Sequence, residues 1–294
     1  MVQSVCGGFR LTRSDHECGV CGETMQQCRP WLFHCRACGF WQSTLEAGAG
    51  TGIEGLEDLR RRNNAVILDR LERRRPLDGM RVLEIGSAWG WFLEDAANRG
   101  ARVHGIEPEA ANVTLSRQKF GDRIEHGFFP SDLKDRGPYD LVVFNDVFEH
   151  IPCPAGVIEA VEKILAPNGL VVINLPSSDG FFFRMANLLD AIGIAGPLER
   201  LWLKGFSSPH LSFFNRTTLQ RLVRAKSSLG LVEGFPLVPI GRKGLYDRIR
   251  ATHRGMPGLV LFAAIWLATF VLPLLPADND VAIFEAKGPK GPAG

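Results

Sequence analysis

The chain has 294 residues, of which 45% are hydrophobic and 22% charged, and its 34 basic and 32 acidic side chains leave a formal charge of +2. This apolar fraction excludes a disordered chain, and the near balance of charge argues against a surface that binds nucleic acid throughout. The length suits one large domain, or one domain with a small additional module.

The first feature in chain order is a cluster of cysteines. Two pairs, Cys18-x-x-Cys21 and Cys35-x-x-Cys38, are separated by thirteen residues. A secreted disulfide scaffold would distribute its cysteines along a short chain, and Met1–Arg10 has no apolar core of signal-peptide length. The cysteines therefore predict a cytoplasmic protein in which clustered thiols bind a metal.

Four thiolates at this spacing suit tetrahedral zinc, and a site closed by four cysteines leaves no open position for catalysis. We predict a structural zinc in a ribbon over residues 1–48, with an iron–sulfur cluster as the alternative. Aromatic side chains would pack this ribbon on the rest of the chain or over an acceptor cleft; they are Trp31, Phe33, Phe40 and Trp41.

Residues 49–78 follow as a predicted connecting segment. Apolar residues recur there at helical spacing between Leu56 and Leu71, seven arginines lie between Arg60 and Arg75, and Pro76 ends the pattern. We predict an amphipathic helix.

Short β-branched runs alternate with helical patterns through residues 79–287. Strands are predicted at Arg81–Ile85, Arg102–Ile106, Arg123–Gly127, Tyr139–Asn145, Leu170–Asn174, Leu231–Phe235 and Val281–Glu285. Helices are predicted at Trp91–Arg99, Ala110–Phe120, Ala155–Leu165 and Thr217–Ser228. This alternation indicates an α/β fold with a doubly wound parallel sheet. The Gly/Pro-rich residues 288–294 are predicted to be a disordered tail.

A glycine loop follows the first strand of this region. Glu84 lies near the strand end, and Gly86-Ser87-Ala88-Trp89-Gly90 comes next. Gly86 permits a tight turn with close backbone approach, and Gly90 opens the next helix. Neither the phosphate-loop lysine nor the third glycine of the dinucleotide motif is present.

Acidic side chains follow two other strands. Glu107 lies 21 positions beyond Gly86, where a carboxylate at a strand tip can accept bonds from both hydroxyls of a ribose. The fourth strand runs into Asn145-Asp146-Val147-Phe148-Glu149-His150, so polar side chains line the same predicted edge.

In combination, Glu84-x-Gly86-x-x-x-Gly90, Glu107 and Asp146…Glu149-His150 resemble class I S-adenosylmethionine (SAM)-dependent methyltransferases. The segment Pro209–Asn215 is similar to the branch that includes ubiquinone-biosynthesis O-methyltransferases. The resemblance implies a Rossmann-like doubly wound seven-stranded sheet with an antiparallel last strand, in addition to the small N-terminal zinc ribbon. It also implies a zinc module like those that precede the same catalytic fold in some sugar C-methyltransferases and ribosomal RNA methyltransferases.

The resemblance assigns SAM to residues at the carboxyl edge of this sheet: Glu84, Gly86, Ser87, Gly90, Glu107, Phe128, Asn145 and Asp146. Gly127-Phe128-Phe129 departs from the family pattern, since many relatives place an acidic residue there toward the adenine. We therefore expect stacking and backbone contacts to hold the adenine. Asp146 is expected to face the ammonium group of the cofactor.

Two histidines are candidate catalytic bases, because imidazole titrates near neutrality. His150 follows the fourth strand, and His210 precedes the Thr217–Ser228 helix. Methyl transfer requires a base only where the acceptor must lose a proton. A structural hydrogen bond of His150 and simple packing of His210 remain the alternatives.

Apolar insertions are predicted at residues 178–208 and 237–278, and residues 255–277 carry no charge. A helix over the 14 residues Leu259–Leu272 spans about 21 Å, short of a ~30 Å bilayer core. Three interpretations stay open: packing in a homodimer or lid interface, peripheral contact of residues 257–276 with the inner face of the membrane, and a true span.

The sequence thus predicts methyl transfer from SAM to the oxygen or carbon of a small or lipid-linked acceptor, such as a quinone precursor, a sugar or a glycolipid. A nucleic-acid acceptor is disfavoured by the net charge. A ribosomal RNA methyltransferase, with the ribbon and the arginines on phosphates, nevertheless remains an alternative. A non-catalytic SAM-binding or membrane-docked assembly protein is another alternative. The glycine loop by itself would also suit a dinucleotide oxidoreductase.

Overall fold

The computed structural model describes residues 16–50, 56–237, 245–252, 255–271 and 274–286. The predicted disordered tail, residues 288–294, and the first 15 residues of the predicted ribbon segment lie outside this description.

The strands, numbered in chain order, are β1 (Gln26–Arg29), β2 (Leu32–His34), β3 (Trp41–Ser43), β4 (Arg81–Ile85), β5 (Arg102–Glu107), β6 (Ile124–His126), β7 (Tyr139–Asn145), β8 (Leu165–Pro176), β9 (Ser212–Phe213), β10 (Gly230–Leu237) and β11 (Asn279–Glu285). The helices are α1 (Glu57–Arg74), α2 (Trp91–Ala97), α3 (Ala110–Phe120), α4 (Pro154–Ile164), α5 (Phe181–Ala191), α6 (Gly196–Leu201), α7 (Arg216–Lys226), α8 (Leu245–Thr252) and α9 (Met256–Val271).

Seven strands form the central sheet in the order β10-β11-β8-β7-β4-β5-β6. The strands from β8 to β6 in this order are parallel, and β11 pairs antiparallel with both β8 and β10. The predicted Rossmann-like doubly wound sheet with an antiparallel last strand is confirmed. The strand order reverses between β4 and β7, and ligands of doubly wound sheets bind at the carboxyl ends of strands beside such a reversal.

Both faces of the sheet are covered, as the continuous apolar strands require. Alternate residues of β4 enter different cores: Val82 packs with α1, α2 and α3, whereas Leu83 packs with α4 and α7. Helix α1, the predicted amphipathic helix, buries Ile67, Leu68 and Leu71 in the core that also holds Val82.

The cysteine-rich segment forms a second, four-stranded sheet in the order β1-β2-β3-β9. Its last strand comes from residues 212–213, far along the chain. Trp41 pairs with Phe213 and Gln42 with Ser212, and aromatic rings pack around this junction, with Trp41 5.5 Å from Phe183 and Phe40 4.7 Å from Phe214. The predicted packing of ribbon aromatics on the main domain is therefore observed.

Helical insertions follow two strands at the carboxyl edge of the central sheet. Helices α5 and α6 follow β8, and α8 and α9 lie between β10 and β11. Within the described ranges, no helix combines the length and the apolar character needed to span a bilayer.

Candidate active site

The glycine loop after β4 lies against the loop after β7. Gly86 has φ +71°, and a Cβ atom placed on it would lie 2.6 Å from Cγ2 of Val147. Gly90 has φ +76°, and its Cβ would lie 2.7 Å from the Phe120 ring. A side chain at either position would be strained in backbone conformation and would also meet close neighbours.

Glu107, at the end of β5, is held against this loop. Its carboxylate accepts the N–H of Ala88 at 2.8 Å through Oε2, and the N–H of Glu109 at 2.9 Å through Oε1. The Asn112 amide donates to Oε1 at 3.3 Å. Burial raises the pKa of Glu107, and the backbone bonds oppose that rise. The carboxylate is thus fixed in one orientation at the strand tip, with lone pairs left to accept from a diol.

Two buried polar groups beside the loop have no hydrogen-bond partner in the described part of the chain. They are Oε2 of Glu84 and Oγ of Ser87, in side chains that are 4% and 3% exposed. Burial raises the pKa of Glu84 well above its usual range. Because buried polar atoms are normally paired, this edge fits a polar ligand such as the cofactor of the predicted family.

Asp146 follows β7 with φ +57°, a left-handed conformation that few non-glycine residues adopt. Its Oδ1 accepts from the amides of Asn174 at 3.0 Å and Asn279 at 3.3 Å. Nη2 of Arg60, on α1, lies 3.4 Å from its Oδ2. The carboxylate is therefore placed by groups from β8, β11 and α1 together.

Asn145 belongs to the same network. Its Oδ1 accepts from Asn174 at 2.8 Å, and its Nδ2 donates to Oδ1 of Asn64 at 3.1 Å. Sequence reasoning missed Asn64, Asn174 and Asn279, and it placed Arg60 on the amphipathic helix without assigning it to this site. Asn64 carried a signal, since it falls on the apolar face of α1 and is 1% exposed.

The two candidate bases lie side by side, with ring centroids 4.8 Å apart. Nδ1 of His150 lies 2.9 Å from the Pro209 carbonyl oxygen and 3.2 Å from Oγ of Ser208. A carbonyl only accepts, so we assign the proton to Nδ1, which leaves a lone pair on Nε2. Oε1 of Glu149 is 3.9 Å from that Nε2.

Burial determines the protonation of this group. It lowers the pKa of His150, and burial together with the neighbouring His150 lowers the pKa of His210 to about 3. Burial, with Asp146 nearby, raises the pKa of Glu149 well above its usual range. The ligand atoms of Glu149, His150 and His210 all lie within 4.8 Å of one another, a spacing at which a divalent cation could bind. At neutral pH both imidazoles are neutral.

Phe128 lies beyond β6 at the rim of the carboxyl edge, and 45% of it is exposed. Its N–H donates to Oδ2 of Asp132 at 2.8 Å. The carboxylate of Asp132 therefore lies beside Phe128, although Asp132 is four residues further along the chain.

The four predicted metal ligands converge. Sγ of Cys18 is 3.6 Å from that of Cys38, Sγ of Cys21 is 3.5 Å from that of Cys35, and all four lie within 4.8 Å. Four sulfurs at about 2.3 Å from one zinc ion would be about 3.8 Å apart. Each pair forms a turn closed by an amide, Gly22 to the Cys18 carbonyl and Gly39 to the Cys35 carbonyl. The cluster is compatible with a zinc ribbon.

The ribbon is also connected directly to the histidine pair. Ser43 of β3 donates from Oγ to the His210 carbonyl at 2.9 Å and from its N–H to the Leu211 carbonyl at 2.8 Å. Leu211 in turn donates to the Glu149 carbonyl at 2.8 Å. The ribbon thereby holds the backbone at His210 and Leu211, and Leu211 links that segment to Glu149, the residue before His150.

The fold and this edge define an S-adenosylmethionine-dependent methyltransferase. Residues 56–226, more than half of the chain, match a family model described as a methyltransferase domain. The chain belongs to that family. The match includes the central sheet as far as α7 and includes neither the cysteine cluster nor α9.

A ubiquinone biosynthesis O-methyltransferase of Burkholderia vietnamiensis is 29% identical over 188 residues, which cover 61% of this chain and 78% of the relative. The cyclopropane synthase MmaA2 of Mycobacterium tuberculosis shares the fold with a TM-score of 0.54 at 16% identity, over 82% of this chain and 90% of that one. Magnesium protoporphyrin IX methyltransferase of Synechocystis PCC 6803 gives a TM-score of 0.50 at 11% identity, over 82% of this chain and 90% of that one.

The lowered pKa of His210 predicts a pH-dependent stability. Its value of about 3 lies below the ordinary 6.5, so the unfolded chain takes up the proton first as the pH falls. The contribution of the neutral His210 to the free energy of unfolding is therefore complete above pH ~6.5. It decreases toward pH ~3, by up to about 1.4 kcal/mol per pH unit. Replacing His210 by Asn should flatten the pH dependence of the free energy of unfolding by this amount, measured by urea denaturation. Equal slopes for the two proteins would contradict it.

Proposed function

We propose that the protein transfers the methyl group of SAM to an oxygen or carbon of a small or lipid-linked acceptor by in-line displacement. The observation that carries this proposal is the fixed Glu107 carboxylate beside the glycine loop, at the edge that also holds the neutral His150. When bound, the cofactor would supply an electrophilic methyl group on a sulfonium. The residues of this chain then have to bind the cofactor, orient the acceptor and accept its proton.

In this proposal Glu107 accepts from the ribose hydroxyls, and Asp146 faces the ammonium group with its orientation set by Asn174 and Asn279. Phe128 offers an exposed ring for stacking on the adenine. The unpartnered Ser87 hydroxyl and Glu84 carboxyl offer further polar contacts to the bound cofactor.

His150 is the proposed base for an acceptor hydroxyl. Bound SAM would supply the methyl group to the acceptor oxygen, with its sulfur keeping the electron pair of the broken carbon–sulfur bond, and Nε2 of His150 would take the proton that the hydroxyl loses. The lowered pKa of His150 keeps that nitrogen unprotonated at neutral pH. His210, with a pKa of about 3, is a poor proton acceptor and acts as a positioning residue beside the His150 ring.

The RNA alternative loses its main support in the described residues, because arginines of α1 are engaged by carboxylates. Arg61 pairs with Glu94 and Asp95, and Arg70 pairs with Glu233. Guanidinium groups in such pairs are less available to phosphates.

Binding of the product S-adenosylhomocysteine tests the cofactor site. Replacing Glu107 by Ala should weaken binding more than tenfold, because the acceptors for the ribose are lost. The matched control is Glu109→Ala, which leaves the backbone N–H that bonds Glu107 in place. Isothermal titration calorimetry measures both. No binding by the zinc-loaded wild type would overturn the cofactor assignment.

Transfer of a labelled methyl group from SAM into cell extracts tests the reaction. Separation into aqueous and lipid fractions shows whether the acceptor is small or lipid-linked. Replacing His150 by Gln should lower the rate about 100-fold or more if the acceptor loses a proton, while binding of S-adenosylhomocysteine stays at the wild-type level. An unchanged rate would remove His150 as the base.

We further propose that the four cysteines hold one structural zinc ion. The buried apolar residues of the ribbon pack into cores shared with the main domain and not into a core of its own, so metal binding would contribute to the folding of the ribbon. Elemental mass spectrometry should find one zinc per chain, and Cys18→Ser/Cys38→Ser should lose it and unfold at lower temperature. Cys28→Ser, at an exposed position, is the control and should retain the metal. Iron in place of zinc would contradict the proposal.

A further inference from the structure

Helix α9 presents an apolar stripe to solvent along its whole length. Its members are between 39% and 70% exposed; they are Met256, Leu259, Val260, Trp266, Leu267 and Phe270. At 100° per residue these positions fall within an arc of about 120° on one side of the helix. Exposed apolar surface of this extent marks an interaction site on a water-soluble domain.

The opposite side of α9 is packed, so the stripe is not a displaced core face. Gly258 and Thr269 are buried there. Phe262 contacts the ring of Tyr246 on α8 at 5.5 Å, and α8 buries Leu245 and Ile249 in turn. Helix α9 is thus attached to the protein by one side, while the side chains of the apolar stripe stay largely exposed to solvent.

The charge of the flanking sequence points to the partner. Residues 255–277 contain no Asp, Glu, Lys or Arg, whereas residues 242–254 contain five basic residues and one acidic residue. Arg250, at the end of α8, is exposed. An apolar surface beside a basic segment is complementary to an anionic lipid headgroup layer above an acyl interior.

The length of α9 determines how this helix can lie relative to a bilayer. Sixteen helical residues extend about 24 Å, less than a ~30 Å hydrocarbon core. The chain then enters β11, inside the central sheet, within ten residues of the end of α9. The helix can therefore lie in the plane of a membrane surface.

We propose that α9 docks on the surface of an anionic phospholipid bilayer, with the apolar stripe at the boundary of headgroups and acyl chains and Arg250 of α8 toward the headgroups.

Residues 276–279, which follow α9 in the chain, contact α5 and the active-site edge. The N–H of Phe181 donates to the Pro276 carbonyl at 3.1 Å, and that of Phe182 to Oδ1 of Asp278 at 2.7 Å. The next residue, Asn279, donates to Asp146. If the proposed function holds, a lipid-linked acceptor could keep its tail in the bilayer while its polar group reaches this edge. The docking itself does not depend on that function.

Flotation with vesicles of equimolar phosphatidylcholine and phosphatidylglycerol tests the proposal on the full, zinc-loaded chain. Wild type should float, and should float less with pure phosphatidylcholine. Val260→Glu/Leu267→Glu should lower the partition coefficient at least tenfold. The matched control, Val66→Glu/Leu115→Glu, places the same changes at exposed positions of α1 and α3 and should bind as wild type.

Thermal unfolding followed by circular dichroism verifies that both double variants are folded. The proposal is overturned if wild type stays unbound, or if both double variants lose binding equally. It is also overturned if wild type is a dimer that binds no vesicles and becomes a monomer in the stripe variant, since a second copy then covers α9. Calorimetry with S-adenosylhomocysteine on the same samples separates the docking proposal from the proposed function, because cofactor binding and vesicle binding can each fail alone.

Discussion

Pairing of β3 with β9 is the interaction on which the arrangement of the active site depends. Trp41 opposite Phe213 and Gln42 opposite Ser212 join two segments some 170 residues apart into one sheet. Ser43 then fixes the backbone of His210, and Leu211 binds the carbonyl of Glu149. A ribbon that is too short to bury a core of its own thereby becomes part of the wall of the site. A zinc ion held by the four cysteines, as proposed, would stabilise this wall as well as the ribbon.

The second constraint is the reversal of strand order between β4 and β7. Parallel pairing of these strands brings the glycine loop and Asp146 to one edge, and the contact between Gly86 and Val147 closes the space between the two loops. Buried carboxyls accumulate there with few opposing charges. Burial therefore raises the pKa of Glu84 and Glu149, while it lowers those of the two histidines. Such a group of perturbed side chains is typical of a catalytic edge.

Local patterns were sufficient to predict much of the fold and part of the site. The β-branched runs and helical spacings predicted all seven strands of the central sheet, because burial on both faces requires continuous apolar strands. The largest difference is in β8, which begins at Leu165, five residues before the predicted start. The two Cys-x-x-Cys pairs were recognisable from their short spacing, and Glu107 from its place at the end of the strand that follows the glycine loop. Asn174 and Asn279 were not, because a polar residue near one end of a strand carries no local signal and these two acquire their role only from Asp146 across the sheet.

The sequence by itself determined the class of fold, the cofactor-type edge and the four thiols, because each is marked by a local motif or by a residue at the end of a predicted strand. Only the tertiary structure decided that Arg60 lies beside Asp146 rather than on a phosphate surface, and that His150 and His210 share one buried contact. It also decided that the apolar residues of α9 face solvent on one side. Periodicity identifies an apolar face, but whether protein or solvent covers that face depends on where distant segments pack.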